Sequence, residues 1–201
     1  YLLPLPTAEA PTQGWSLIAG FVDPETQERL PVTVAAIESG DAATLTQLRV
    51  PGLQPPPPAW DNTVTPVDFA PPGADDTAIV LEDAIVTYMP AEGWDVELSW
   101  VSERAVDDDY VVFVHAYDAN GELLATGDGP PRGGAFPTRL WVPGDRIISS
   151  HHLTWDAAAS EPATIAVGLY LPETGDRLPA TRRGASVPNN AMTIWEGDED
   201  P

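Results

Sequence analysis

Cysteine and lysine are both missing from this 201-residue chain, and histidine occurs only three times. Without cysteine there is no disulfide framework to report the redox compartment, no thiolate nucleophile and no cysteine-ligated zinc. The nine basic residues, all arginine, face 31 acidic ones, a formal charge of −22. A surface of that sign repels phosphate backbones and anionic headgroups, which argues against nucleic acid and peripheral membrane partners. It suits solubility, divalent cations and high salt. No apolar run approaches the ~20 residues of a membrane-spanning helix, so no direct membrane insertion is expected of this segment. Tyr1 begins neither with an initiator methionine nor as a signal peptide. The expectation is a processed product, or a piece of something longer whose anchor or signal lies upstream.

Long amphipathic helical stretches are lacking too, because 23 prolines and 16 glycines interrupt the chain every few residues. What is present is a 43% share of hydrophobic residues in short blocks, enough for a core. Those blocks predict strands at 15–23, 43–50, 78–88, 94–101, 110–117, 123–127, 146–154, 164–171 and 191–195. Asn120-Gly121 supplies positive-φ residues for a hairpin, and Pro24-Glu25-Thr26-Gln27 and Pro172-Glu173-Thr174-Gly175 open with the preset φ of a turn. Many short strands at close spacing predict an all-β antiparallel β-sandwich, immunoglobulin-like or jelly-roll-like.

Four successive prolines, Pro55 to Pro58, predict a polyproline II spacer. On either side of it lies a repeat. The twelve residues from Gly20 to Pro31 align without a gap with Gly168 to Pro179 and share seven identities, among them Pro24-Glu25-Thr26 with Pro172-Glu173-Thr174 and Arg29-Leu30-Pro31 with Arg177-Leu178-Pro179. The expected organisation is therefore the C-terminal half of a sandwich repeat at 1–52, a proline-rich linker at 53–63, a complete sandwich at 64–198 and an acidic tail at 199–201. The missing half could come from a neighbouring subunit, with Tyr1-Leu2-Leu3-Pro4-Leu5-Pro6 a candidate for edge pairing, or from upstream sequence. The third reading packs residues 1–50 onto the complete copy as extra strands.

Trp94-Asp95-Val96-Glu97-Leu98-Ser99-Trp100, Asp109 to Asp118 and the Asp128 to Asp145 segment, with its Pro-Thr-x-x-Trp-x-Pro-Gly run, carry a family resemblance. Residues 64–180 resemble the extracytoplasmic β-sandwich at the C-terminus of many bacterial membrane glycosyltransferases similar to dolichyl-phosphate-mannose protein mannosyltransferases. The resemblance implies a sandwich facing the outside of the cell as an accessory or surface-display module. The catalytic membrane part of such enzymes has no counterpart in these residues.

Candidate chemistry is sparse. Asp128, Arg132, Phe136, Arg139 and Trp141 lie on one glycine- and proline-rich segment that could offer a sugar an aromatic platform, although large aromatics favour burial. Trp94, Trp100 and Trp155 fall within strand patterns and are expected mostly in the core. Asp107, Asp108 and Asp109 could give part of a calcium site, calcium being the one cofactor the sequence suggests; they also read as a polar turn before a buried strand. Asp75-Asp76 and Asp198-Glu199-Asp200 are further acidic clusters. His151 and His152 would point to opposite faces of a strand, which is wrong for joint metal ligation. No Gly-x-Ser-x-Gly elbow is present. The expected function is a non-catalytic extracytoplasmic module, structural or accessory, with a protein partner or self-association through exposed strand edges. The alternatives are a filament subunit joined by strand exchange and a carbohydrate-binding module with glycan ligands.

Overall fold

The computed structural model describes residues 12–31, 33–34, 37–38, 43–50, 52–55, 64–74, 76–90, 92–154 and 162–197. The Tyr1–Pro6 segment, Pro56 to Trp60 of the spacer, Asp75, Trp155 and the 198–201 tail lie outside the described residues. The chain divides into two units, Tyr1–Leu53 and Gln54–Pro201.

Unit 1 pairs β1 (Gln13–Ala19) antiparallel with β4 (Ala43–Val50). Two short strands, β2 (Thr33–Val34) and β3 (Ile37–Glu38), form a hairpin between them in sequence.

Unit 2 contains β5 (Val67–Phe69), β6 (Ile79–Met89), β7 (Gly93–Ser102), β8 (Val111–Tyr117), β9 (Leu123–Thr126), β10 (Arg146–Leu153), β11 (Thr164–Tyr170), β12 (Ala180–Arg182), β13 (Ala185–Ser186) and β14 (Met192–Glu196). They build an all-β sandwich of two antiparallel sheets. One has the order β10-β7-β6-β5-β12-β13 and the other β14-β11-β8-β9. Period-two alternation aims Leu98 and Trp100 of β7 and Ile147 and Leu153 of β10 into a shared core with Val112, Val114 and Ala116 of β8 and Ile165, Val167 and Leu169 of β11. Each large side chain so buried stabilises the fold by about 1.5–3 kcal/mol. The β8–β9 hairpin turns at Asp118, whose Oδ1 accepts the Asn120 and Glu122 N–H groups at 2.8 Å, while Gly121 takes φ +80°. Those bonds hold the Asp118 carboxyl below its ordinary pKa.

The sequence repeat extends into backbone pairing. Val22 bridges Arg29 as Tyr170 bridges Arg177, 148 residues later in each case. Leu30 N–H donates to Phe21 O at 2.9 Å, and Leu178 to Leu169 at 2.8 Å. β2 and β3 pair Thr33 with Glu38 and Val34 with Ile37; β12 and β13 pair Thr181 with Ser186 and Arg182 with Ala185. The β1–β4 register shifts between Leu17 and Ile18, and the β11–β14 register between Ile165 and Ala166. Beyond the second hairpin the offset grows by one residue, so that Leu17 faces Thr46 as Ile165 faces Trp195. One turn position differs in kind: Gln27 adopts φ +61° where Gly175 adopts +77°. A side chain there costs roughly 1–2 kcal/mol.

Every pairing made among β11 to β14 thus recurs in unit 1. The strands β8 and β5, which flank β11 and β12 in unit 2, have no counterpart among the described residues of unit 1.

Candidate functional site

The Asp128 to Asp145 segment runs from the end of β9 to β10 and is folded against the sandwich. Phe136 and Trp141 are each 1% exposed and belong to the core, so they present no platform to a sugar. Their burial follows from apolar area combined with one satisfied polar atom: the Trp141 indole N–H donates to Phe136 O at 2.9 Å. Thr138 is fully buried between them. Its Oγ1 accepts the Tyr110 N–H at 2.8 Å and donates to Asp108 O at 2.7 Å. Asp145, also buried, accepts the Val142 N–H at 2.9 Å and the Gln54 side-chain amide at 2.6 Å, closing the Pro143-Gly144 turn in which Gly144 takes φ +88°. The Pro-Thr-x-x-Trp-x-Pro-Gly-Asp run is a structural clamp.

Of the remaining candidates, Arg139 is paired with the Asp109 carboxylate, and its own N–H donates to Asp109 Oδ1 at 3.3 Å. Asp108 Oδ2 accepts the Tyr110 hydroxyl at 3.4 Å. The Asp107–Asp109 turn is therefore brought to the clamp, and a cation at Asp109 would have to displace a guanidinium. Among the described residues no group of three or more His, Asp or Glu side chains is placed to hold a metal ion. Asp128 lies apart, its Oδ1 accepting the Val114 N–H at 3.2 Å and facing His115 Nε2 at 3.1 Å. Arg132 takes a left-handed φ of +53° at the start of the segment. The five segment candidates do not converge on one site.

His151 and His152 do point to opposite faces of β10. His151 is buried in a chain of bonds: Trp100 Nε1–H donates to Ser149 Oγ at 3.0 Å, Ser149 Oγ meets His151 Nε2 at 3.2 Å, and His151 Nδ1 meets Gly127 O at 3.1 Å. The Gly127 carbonyl can only accept, so the neutral ring donates from Nδ1 and its Nε2 accepts from the Ser149 hydroxyl. Burial lowers the pKa of His151. His152 is exposed, and both its ring nitrogens face acceptors, Asp95 Oδ1 at 2.6 Å and Glu92 O at 3.1 Å. That is the environment of a doubly protonated ring, and the Asp95 bond raises its pKa. A concavity of about 300 Å3 beside it is lined by Thr87, Asp95, Glu97, Ser150, His151 and His152. Both ring nitrogens of His152 are directed at Asp95 and the Glu92 carbonyl rather than at Ser150.

One feature escaped the sequence reading. Phe113, His115 and Tyr117 form a row on one side of β8, with centroids 5.0 and 6.1 Å apart; Phe113 is only 1% exposed, and Asp128 stands beside His115. Their i, i+2, i+4 spacing was the available signal. The Phe113 ring is held between Gly168 and the Arg177 guanidinium, which lies 4.1 Å from its centroid. A Cβ on Gly168 would come within 2.5 Å of that ring.

Unit 1 leaves apolar side chains uncovered, the feature that the half-copy reading raised. Leu17, Phe21, Leu30, Leu48 and Leu53 are exposed, Phe21 at 73%, and so are Ile18 and Val22, which strand alternation turns to the other face from Leu17 and Phe21. The counterparts of Leu17, Phe21 and Leu30 in unit 2, namely Ile165, Leu169 and Leu178, are fully buried.

No known protein family, curated protein or solved structure matches the chain.

Proposed function

We propose that this chain is a non-catalytic β-sandwich module of an extracytoplasmic tandem array, with a structural or accessory role at the cell surface or envelope. The observation that carries the modular part is the repeat of one backbone pairing scheme in both units. The use of the polar side chains supports the non-catalytic part: Thr138, Asp145, Ser149 and His151 each hold two segments of the fold together. The extracytoplasmic part rests on the Trp94 to Asp145 motifs and their resemblance to the mannosyltransferase-type accessory domain. Protease shaving of intact source cells tests it. Release of peptides from residues 64–197 without cell lysis is the expected result, and peptides that appear only after lysis would sink the location.

A glycan-binding reading has one observation in its favour, the His115 and Tyr117 pair on β8, with ring centroids 6.1 Å apart and Asp128 beside His115; Phe113, 1% exposed, takes no part. Aromatic rings suit sugar C–H groups, and the Asp128 carboxylate suits hydroxyls. On this reading Tyr117→Ala abolishes retention on immobilised polysaccharide, whereas equal retention of both proteins discards it.

A further inference from the structure

We infer that the open face of unit 1 seats a half-sandwich of the β5-to-β10 type, carried by the same polypeptide ahead of residue 1. The inference rests on the half-module geometry alone and is independent of the surface location proposed above.

Unit 2 displays what covers the equivalent surface. There β8 pairs with β11 along its whole length, from Thr164 with Tyr117 to Tyr170 with Val111, and β5 pairs with β12 through Phe69 and Asp68. In unit 1, β1 pairs on one side with β4, and no strand lies on its other side among the described residues. A bare strand edge beside a bare apolar face is a template for strand addition.

The occupant is specified further by Gly20 and Arg29. In unit 2 their counterparts, Gly168 and Arg177, form the notch that grips the Phe113 ring, and the close approach of that ring requires glycine. Unit 1 retains the glycine and the arginine at the same places in the same bridged hairpin. The missing strand therefore carries an aromatic residue where β8 has Phe113, flanked by inward apolar residues like Val112 and Val114. Continuing the offset of 148 puts that aromatic about 36 residues ahead of Tyr1.

A second copy of this chain cannot be the general source. Each chain holds one half of the β5-to-β10 type and two of the β11-to-β14 type, so any assembly of identical chains leaves one uncovered half per chain. A tethered source matches the order within unit 2, where β10 ends at Leu153 and β11 begins at Thr164. A short tether also supplies millimolar effective concentration.

The test joins a copy of residues 64–153 ahead of Tyr1 in the otherwise full chain and follows amide hydrogen exchange. Exchange at Ile18, Gly20 and Val22, the counterparts of the β11 residues whose backbones face β8, is expected to slow at least ~100-fold, consistent with withdrawal from fraying edges. Phe113→Ala in the added copy should return at least tenfold of that protection. Unchanged exchange at those amides, with the β6 and β7 amides of the added copy protected, overturns the proposal. Should the added copy not fold, the polypeptide purified from its source decides. A mass of 21.4 kDa overturns the inference. So does a longer chain with no aromatic at the assigned place, whereas a longer chain with that aromatic supports it.

Discussion

Replacing Thr138 with valine removes one hydroxyl from the molecule and keeps the side chain's shape. That hydroxyl is fully buried and joins two segments by accepting from Tyr110 N at 2.8 Å and donating to Asp108 O at 2.7 Å. Valine leaves both backbone groups without that partner, and a buried unsatisfied group costs about 1–3 kcal/mol. The combined loss should be about 2–4 kcal/mol, roughly 30- to 1000-fold in the unfolding equilibrium. Thr138→Ser keeps both bonds and loses one methyl, about 1 kcal/mol. Urea unfolding, read by the near-ultraviolet signal of buried Trp100 and Trp141, should give the order wild type, serine, valine. A valine midpoint about 1–2 M below wild type is expected if m is near 2 kcal/mol/M. The clamp argument is refuted if valine lies within about 0.5 kcal/mol of wild type, or if serine loses as much as valine.

The adjacent histidines should titrate in opposite directions from 6.5 in an NMR pH series, His151 below it and His152 above. His151 then supports the fold fully above that value and loses its contribution as pH falls through its folded pKa. His152 supports it fully below 6.5 and loses its contribution as pH rises through its folded pKa; a shared midpoint for the two rings contradicts both environments. Ile165→Ala should cost about 2–5 kcal/mol, while Leu17→Ala, at the same place in the exposed copy, should stay within about 0.5 kcal/mol; equal losses by calorimetry would mean the face is covered. Gly168→Ala should destabilise unit 2 by several kcal/mol, because its Cβ meets the Phe113 ring at 2.5 Å and Asn190 O at 2.7 Å; a melting temperature within 2 °C of wild type, taking about 2–4 °C per kcal/mol for a domain of this size, argues against the notch.

Strands were legible where apolar residues alternate or run for five or more positions, as in β6, β7, β8, β10 and β11. The short β5, β12 and β13 were not, because three residues or fewer carry no period and Pro66, Pro71 and Pro179 surround them with turn chemistry. The repeat was readable from shared Pro-Glu-Thr and Arg-Leu-Pro, and those residues turned out to occupy bridged hairpins of equal geometry. The polar sites were harder to read. Thr138 meets a partner 28 residues away and Trp100 one 49 residues away, separations that leave no local pattern. Phe136 and Trp141 resemble a sugar platform in one dimension because their burial depends on a sheet assembled from distant strands. Asp83, buried at the β6 bulge with Oδ2 lacking a partner among the described residues, gave no sign in the sequence of being withdrawn from water.

The single residue by which the offset between the copies grows lies between Ser186 and Met192, opposite 39–42 of the first copy. A one-residue insertion within a strand would turn its whole apolar set toward solvent. This one instead falls around the Pro188–Asn190 turn, where Asn189 and Asn190 adopt positive φ and the ladders on both sides keep their faces. Divergence of the two copies has thus marked a place where chain length is free to vary. For an engineer, the Val187 to Ala191 connection is the natural port for an epitope or a fluorophore.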